Sequence, residues 1–149
     1  MLYIKIIMTV LDVDKLLNAL DNENNENIMK FNSDKISKLK NDVLQKLGLS
    51  RDNLIKLHKS LKWYKLIDEL PEVNYGCYIR WISLKDPSNI KLTTGGIICD
   101  IKLDNKGIVI ICKNNCNRFF QLKMDECLVF QKLTDQERVI ITALDYLNK

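Results

Sequence analysis

Cationic side chains are concentrated in one part of the 149-residue chain, between Lys30 and Lys65. This segment holds ten Lys or Arg residues against three Asp residues, a surplus of seven positive charges in a chain whose net charge is +4. Ammonium and guanidinium groups bind phosphate oxygens, so such a surplus is typical of a surface that meets a polyanion. A solvated, lysine-rich helix surface would have the same composition, and the sequence leaves both interpretations open.

Four polar residues, Ser50-Arg51-Asp52-Asn53, follow a glycine and carry the most specific chemistry of this segment. An arginine can bond guanine and an asparagine can bond adenine, each through two hydrogen bonds, so we expect Arg51 and Asn53 to read bases. Ser50 and Lys56 would contact phosphate, whereas Asp52 would repel it unless it pairs with a neighbouring cation. The full set of candidate nucleic-acid contacts is Lys35, Lys38, Ser50, Arg51, Asn53, Lys56, Lys59, Lys62 and Trp63.

Two amphipathic helices must position these side chains. Ser33 is expected to cap a helix over residues 34–47, which Gly48 would end in a left-handed conformation. Ser50 would then cap a second helix. The expected apolar stripes are Ile36, Leu39, Val43 and Leu47 on the first helix, and Leu54, Leu57, Leu61 and Tyr64 on the second. On the opposite face of the second helix we expect Lys56, Lys59 and Trp63.

The bend between these helices, within residues 43–57, resembles the helix-turn-helix of transcriptional regulators. The matching turn is Leu47-Gly48-Leu49-Ser50, and Leu44 departs from the pattern because a small residue often occupies that position. The resemblance implies that the first turn of the second helix enters the major groove of DNA. The function expected from it is a small non-enzymatic nucleic-acid-binding protein, with DNA as a better candidate than RNA.

Residues that could support catalysis or metal binding are few. Cys112 and Cys116 are the closest cysteine pair, and a structural zinc site would need two further ligands such as Cys99 and Cys127. His58 is the sole histidine of the chain and lies at helical spacing from apolar residues, which favours a packing role. We therefore expect no enzymatic activity, no metal and no cofactor.

Aromatic side chains beside cations in the second half of the chain offer a further possibility, because such pairs can stack unpaired bases. Core packing is their commoner role. Phe119 and Phe120 point to opposite sides of a strand, so at most one of them should be exposed. The aromatic set is Tyr78, Trp81, Phe119, Phe120 and Phe130, and the neighbouring cations are Arg80, Arg118 and Lys123.

The remaining sequence predicts an α+β protein. Val13 to Leu20 has helical spacing with Asp12 as its cap, and the preceding apolar run from Leu2 to Val10 is a strand or the start of this helix. From Cys77 onward the period becomes two, with turn residues between four or five short strands, as in an antiparallel meander or a small SH3-like barrel. Thr134 and Glu137 match a capping box for a closing helix with Val139, Ile140, Ala143, Leu144 and Leu147 toward a core.

The expected organisation has five segments: an apolar N-terminal strand or helix (1–20), a polar linker (21–32), the basic helical hairpin (33–72), the β-meander (73–133) and the C-terminal helix (134–149). No signal peptide or membrane span is recognisable, so we expect an intracellular, reducing compartment. The Lys-, Asn- and Ile-rich composition suggests an AT-rich genome, such as that of a large DNA virus. The alternative function is a structural or adaptor protein, for example a virion component, which binds other proteins through the meander and the basic helices.

Overall fold

The computed structural model describes residues 13–147, so the predictions for residues 2–10 and for the Asp12 cap lie outside the described residues. The architecture is α+β, with helices first, then an antiparallel sheet and a closing helix, as predicted. The helices are α1 (13–21), a 3-10 helix (Glu23–Lys30), α2 (Ser33–Gln45), α3 (Arg51–Ser60) and α4 (Asp135–Leu147). The strands are β1 (Tyr64–Ile67), β2 (Tyr78–Ser83), β3 (Gly96–Asp104), β4 (Gly107–Lys113), β5 (Phe119–Lys123) and β6 (Cys127–Lys132).

The chain divides into two compact units, of which the first contains residues up to Ile36 together with those from Leu133 onward. Its core consists of Ala19, Ile28, Ile36, Leu133, Ile140 and Ile141. The predicted capping box of α4 is confirmed, because the Glu137 N–H donates to Thr134 Oγ1 (3.1 Å) and the Thr134 N–H donates to Glu137 Oε1 (3.0 Å). Leu147, predicted to face the core, is exposed because it lies in the last turn of the helix.

The segment predicted as a polar linker, residues 21–32, instead contains the 3-10 helix Glu23–Lys30. Asn25 is buried, and its Nδ2 donates to the Ala19 carbonyl (2.8 Å) and to Gln136 Oε1 (3.0 Å). Ile28 packs in the core of this unit. This segment is therefore packed despite its low-complexity polar composition, because an asparagine side chain donates hydrogen bonds to backbone and side-chain acceptors.

The N-terminus of α2 differs from its prediction by one residue. The Lys35 N–H donates to Asn32 Oδ1 at 2.8 Å, so the cap is Asn32 and not the predicted Ser33. The Ser33 backbone N–H donates instead to Asp145 Oδ1 at 2.9 Å, and its hydroxyl donates to the other carboxylate oxygen. A carboxylate is favourable at this position because the helix N-terminus carries a partial positive charge.

The second unit, Ser37–Lys132, contains a six-stranded sheet in the order β1-β6-β2-β3-β4-β5. Strands β2 to β5 follow one another as the predicted meander, and β6 returns to lie between β1 and β2, antiparallel to both. Strand β1 is absent from the prediction, because helical spacing places Tyr64 on the second helix. The helix ends at Ser60, and Tyr64 pairs with Lys132 of β6.

The sheet is strongly curved. Only the short 3-10 turn Met124–Glu126 connects β5 to β6, and in a flat sheet these strands would be four spacings or about 19 Å apart. A connection of this length spans at most about 14 Å. Consistent with the curvature, the ring centroids of Trp81 on β2 and Phe120 on β5 are 6.4 Å apart. The sheet nevertheless stays open, with β1 and β5 as its edges among the described residues, and the SH3-like barrel is not confirmed.

Strands β2 and β6 are covered on both faces. Ile79 and Val129 belong to one core, which they form with residues of β3, β4 and β5. Ile82 and Phe130 point the other way, into a second core that Leu44 and other side chains of the α2–α3 hairpin complete. The hairpin therefore packs against one face of the sheet, and its opposite side is available to solvent.

Candidate nucleic-acid interface

The bend of the hairpin has the local geometry that its sequence predicts. Gly48 has a φ of +68° and ends the first helix in the left-handed region. Ser50 caps α3, since its hydroxyl accepts a hydrogen bond from the Asn53 N–H at 3.3 Å. The Ser50 hydroxyl keeps its own proton and can still donate to a phosphate oxygen. Leu44, the position at which a small residue is common in helix-turn-helix proteins, is fully buried in the core beneath the hairpin.

A buried lysine joins the two helices. Lys40 Nζ donates to the backbone carbonyl of Leu61 at 2.8 Å, and this carbonyl belongs to the C-cap residue of α3. The carboxyl end of a helix carries a partial negative charge and unpaired carbonyls, so an ammonium group is favourable there. Burial lowers the pKa of Lys40 from its ordinary value. The hairpin is thus held together by a cation as well as by apolar contacts.

An open groove with a volume of about 580 Å³ lies between α2 and the end of α3. No carboxylate is among the described residues that line it. The ion pairs found within residues 13–147 involve Lys65, Lys85 and Lys123, and none of them includes a lysine of the groove. The groove therefore has an excess of positive charge and of hydrogen-bond donors. Its lining residues are Ser37, Lys38, Lys40, Asn41, His58 and Lys62.

The candidate residues of α3 are all exposed, but they do not share one direction. At about 100° per residue, Arg51 and Asn53 lie about 160° apart around the helix axis. Lys56 and Lys59 lie about 60° apart on the solvent side, together with Asp52. The structure therefore brings the two lysines together and separates the two expected base readers.

Trp63 does not lie on α3 as predicted, because the helix ends at Ser60. It follows the helix, and the Lys62 ammonium lies 5.1 Å from the centre of its exposed ring. Lys62 thus belongs both to a cation–π pair and to the rim of the groove. Lys35 is exposed in the first unit, where its Nζ donates to the Lys30 carbonyl at 3.4 Å.

Sequence reasoning missed four groove residues, Ser37, Lys40, Asn41 and His58. The signal for Lys40 was present, because it lies four residues from both Ile36 and Leu44, which are buried on the same helix face. Leu39, predicted on the buried stripe, is exposed instead. His58, expected to pack at the helix edge, is half-buried and lines the groove.

The structure also separates the aromatic residues of the sheet. Phe130 is buried, and Trp81 is half-buried beside Phe120. Arg80 Nε donates to the Thr93 carbonyl at 2.8 Å, so this cation is engaged within the protein. Phe119 and Phe120 are both exposed, contrary to the prediction that at most one would be, because β5 is an edge strand.

Within residues 13–147, the cysteines do not form a cluster with other metal ligands. In the part of the chain that the structure describes, no group of three or more His, Cys, Asp or Glu side chains could hold a metal ion. Cys112 is buried on β4, and burial raises the pKa of its thiol to about 11. This thiol is therefore protonated near neutral pH and is a poor nucleophile.

None of the helices within residues 13–147 is long and apolar enough to cross a membrane. Two features of the hairpin are relevant to function, namely the basic groove and the exposed lysines of α3. Comparison of the chain with protein families, with curated proteins and with solved structures returned no match.

Proposed function

We propose that this protein is a small non-enzymatic nucleic-acid-binding protein whose α2–α3 hairpin contacts the phosphate backbone of DNA. The proposal rests on the groove, which is lined by Lys38, Lys40, Lys62 and His58. None of the described residues that line it is a carboxylate. A concave surface with several ammonium groups and no internal counter-ion is stabilised by an external anion. Phosphate is the anion that nucleic acids present at regular spacing.

The groove residues have complementary roles in this proposal. Lys38 and Lys62 are exposed and can approach phosphate oxygens directly. Lys40 is buried and already bonded to Leu61, so it supplies charge close to the site without leaving its position. Ser37 and Asn41 add neutral donors on the same side of α2.

Phosphate contact is better supported than sequence reading. Arg51 and Asn53 point in different directions from α3, so both side chains could not reach bases in the same groove of DNA. Lys56 and Lys59 do share the solvent side of the helix and extend the basic surface beyond the groove. We therefore expect binding with weak sequence preference and strong salt dependence.

Fluorescence anisotropy with a labelled DNA duplex, measured over a series of salt concentrations, tests the proposal. The logarithm of the association constant should fall linearly with the logarithm of the salt concentration. The double variant Lys38→Gln/Lys62→Gln should bind more weakly at every salt concentration. The magnitude of its slope should decrease by about one unit for each phosphate that the variant no longer neutralises.

The matched control is Lys91→Gln/Lys106→Gln, which removes two exposed lysines that do not line the groove. This control should bind nearly as well as the unchanged protein, because the overall charge alone contributes only a screened, long-range attraction. An equal loss of affinity in both double variants would contradict a specific role of the groove. Absence of binding to any duplex at low salt would contradict the proposed function as a whole.

A protein-binding adaptor is the second candidate function. It is favoured by two exposed apolar side chains near the lysines, Ile55 on α3 and Trp63 directly after it. Exposed aromatic residues beside cations are frequent anchors of protein interfaces. If this candidate is correct, substitution of Ile55 and Trp63 by alanine would abolish partner binding, and salt would have a much smaller effect.

A further inference from the structure

The strands β3, β4 and β5 have one face that the core does not use. On the core side, Ile98, Ile110, Cys112 and Leu122 are buried. The opposite side, which we call the outer face, contains three cross-strand rows fixed by the register. These rows are Ile97–Lys113–Phe119, Asp100–Ile111–Gln121 and Lys102–Val109–Lys123.

Phe119 is the most exposed aromatic residue of this face, with 65% of its surface accessible. The Lys113 ammonium lies 5.7 Å from the centre of its ring, which is a cation–π contact. A flat, accessible ring fits one nucleotide, since a base can take the place of the lysine ammonium over the ring while that ammonium meets the phosphate. A buried phenylalanine such as Phe130 could not do this.

The charge of the outer face favours an anionic occupant. Lys102, Lys113 and Lys123 are its cations, and Asp100 is its one carboxylate in the three rows. Lys123 approaches Glu126 at 3.9 Å, an exposed pair that binds weakly and can be exchanged for a phosphate contact.

The backbone of β5 also presents polar groups at this end of the sheet. The Asn114 N–H donates to the Arg118 carbonyl at 3.0 Å, which makes these two residues a hydrogen-bonded pair. Hydrogen bonding alternates along an antiparallel pair, so Phe119, Gln121 and Lys123 direct their N–H and C=O groups away from β4, toward the open edge. Such groups can bond the edge of a base that is stacked on the ring.

We infer that the outer face of β3–β5 binds single-stranded nucleic acid, with an unpaired base stacked on Phe119 and phosphates placed on Lys113 and its neighbours. The inference extends the proposed nucleic-acid binding, but it rests on residues that the hairpin does not contain. The faces of paired bases are covered by their neighbours in a duplex, so this surface discriminates in favour of unpaired strands.

Anisotropy with a labelled oligothymidylate and a labelled duplex of equal length tests the inference in the full-length protein. Phe119→Ala should weaken binding of the single strand by about 5- to 150-fold, the range expected when one stacked base is removed, and leave duplex binding unchanged. Phe119→Tyr keeps the ring and should retain most of the affinity. Tyr75→Ala is the matched control, because Tyr75 is 62% exposed and lies outside the outer face, and it should have no effect.

Folding is monitored by circular dichroism, which should be unchanged because Phe119 is an exposed side chain of an edge strand. Equal single-strand affinity of Phe119→Ala and the unchanged protein would overturn the inference. So would sedimentation data in which Phe119→Ala abolishes self-association, since the face would then join two copies of this chain. If only the lysine variants of the hairpin lose affinity for nucleic acid, binding at the outer face is refuted and the proposed function stands. If the protein binds only the single strand, and Phe119 is required, binding at the outer face stands and the hairpin proposal fails.

Discussion

Lys40 is a buried cation that joins the two helices and, in the proposed function, also supplies charge for anion binding. It fixes the end of α3 to α2 through the Leu61 carbonyl, and it adds positive charge to the groove. Its burial has a cost, because water no longer solvates the ammonium group, and this cost lowers the pKa of Lys40. A bound phosphate would offset part of that cost.

Substitution of Lys40 by methionine keeps most of the length of the side chain and removes its charge. We expect the free energy of unfolding at neutral pH to fall by about 1–2 kcal/mol, because the Leu61 carbonyl loses a charged donor. Urea denaturation followed by circular dichroism measures this difference. Lys46→Met, which changes an exposed lysine, is the matched control and should have little effect.

The free energy of unfolding should also depend differently on pH in the unchanged protein and in Lys40→Met. The pKa of Lys40 is lowered from 10.5 in the folded state, so the folded protein releases this proton at a lower pH than the unfolded chain. The unfolded state then binds more protons, and stability relative to Lys40→Met rises as pH increases from the lowered pKa toward 10.5. Stability curves that stay parallel over this range would contradict the assigned role of burial.

At the scale of single elements, the cap of α3 determines where the second helix of the hairpin begins. Ser50→Ala removes the acceptor of the Asn53 N–H and should lower the free energy of unfolding by about 1 kcal/mol. Ser60→Ala is the control, since Ser60 is exposed at the last position of the same helix. Thermal denaturation compares the two, and an equal effect of both would show that the cap contributes nothing specific.

Local signals in the sequence are sufficient for the parts of the fold that local interactions determine. Gly48, Ser50 and the pair Thr134–Glu137 are predicted correctly because a helix end is decided within one turn. Strand β1 cannot be found in this way, since its residues have a partner only in β6, far along the chain. The helical spacing of Tyr64 with Leu57 and Leu61 is therefore misleading.

The candidate site is predictable only in part, for a related reason. Exposed cations such as Lys38 and Lys62 follow from composition and helical period. The groove also depends on Lys40, whose burial requires the end of α3 to lie against α2. The separation of Arg51 from Asn53 needs no tertiary structure, because helix geometry alone determines it. The accessibility of Phe119 depends on β5 being an edge strand, which only the sheet order reveals.

For the second unit as a whole, β6 is the element on which both cores depend. Phe130→Ala should lower the free energy of unfolding by about 3–5 kcal/mol, because it leaves a cavity between the sheet and the hairpin. Phe120→Ala, at a partly exposed position on the core side of β5, should cost less than about 1.5 kcal/mol. Chemical denaturation of both variants measures the contrast, and similar losses of stability would contradict the assignment of Phe130 to a central core.

The insertion of β6 between β1 and β2 has a consequence for biosynthesis. While a ribosome makes the chain, β1 and β2 emerge long before β6 (Cys127–Lys132). This strand lies between them and pairs with each of them. Until then, each has an unpaired edge and apolar side chains on two faces, a state prone to association with other nascent chains. The hairpin can form earlier, since its contacts are close in sequence. Completion of the sheet therefore has to wait until β6 has emerged, and chaperone protection would matter most before that point.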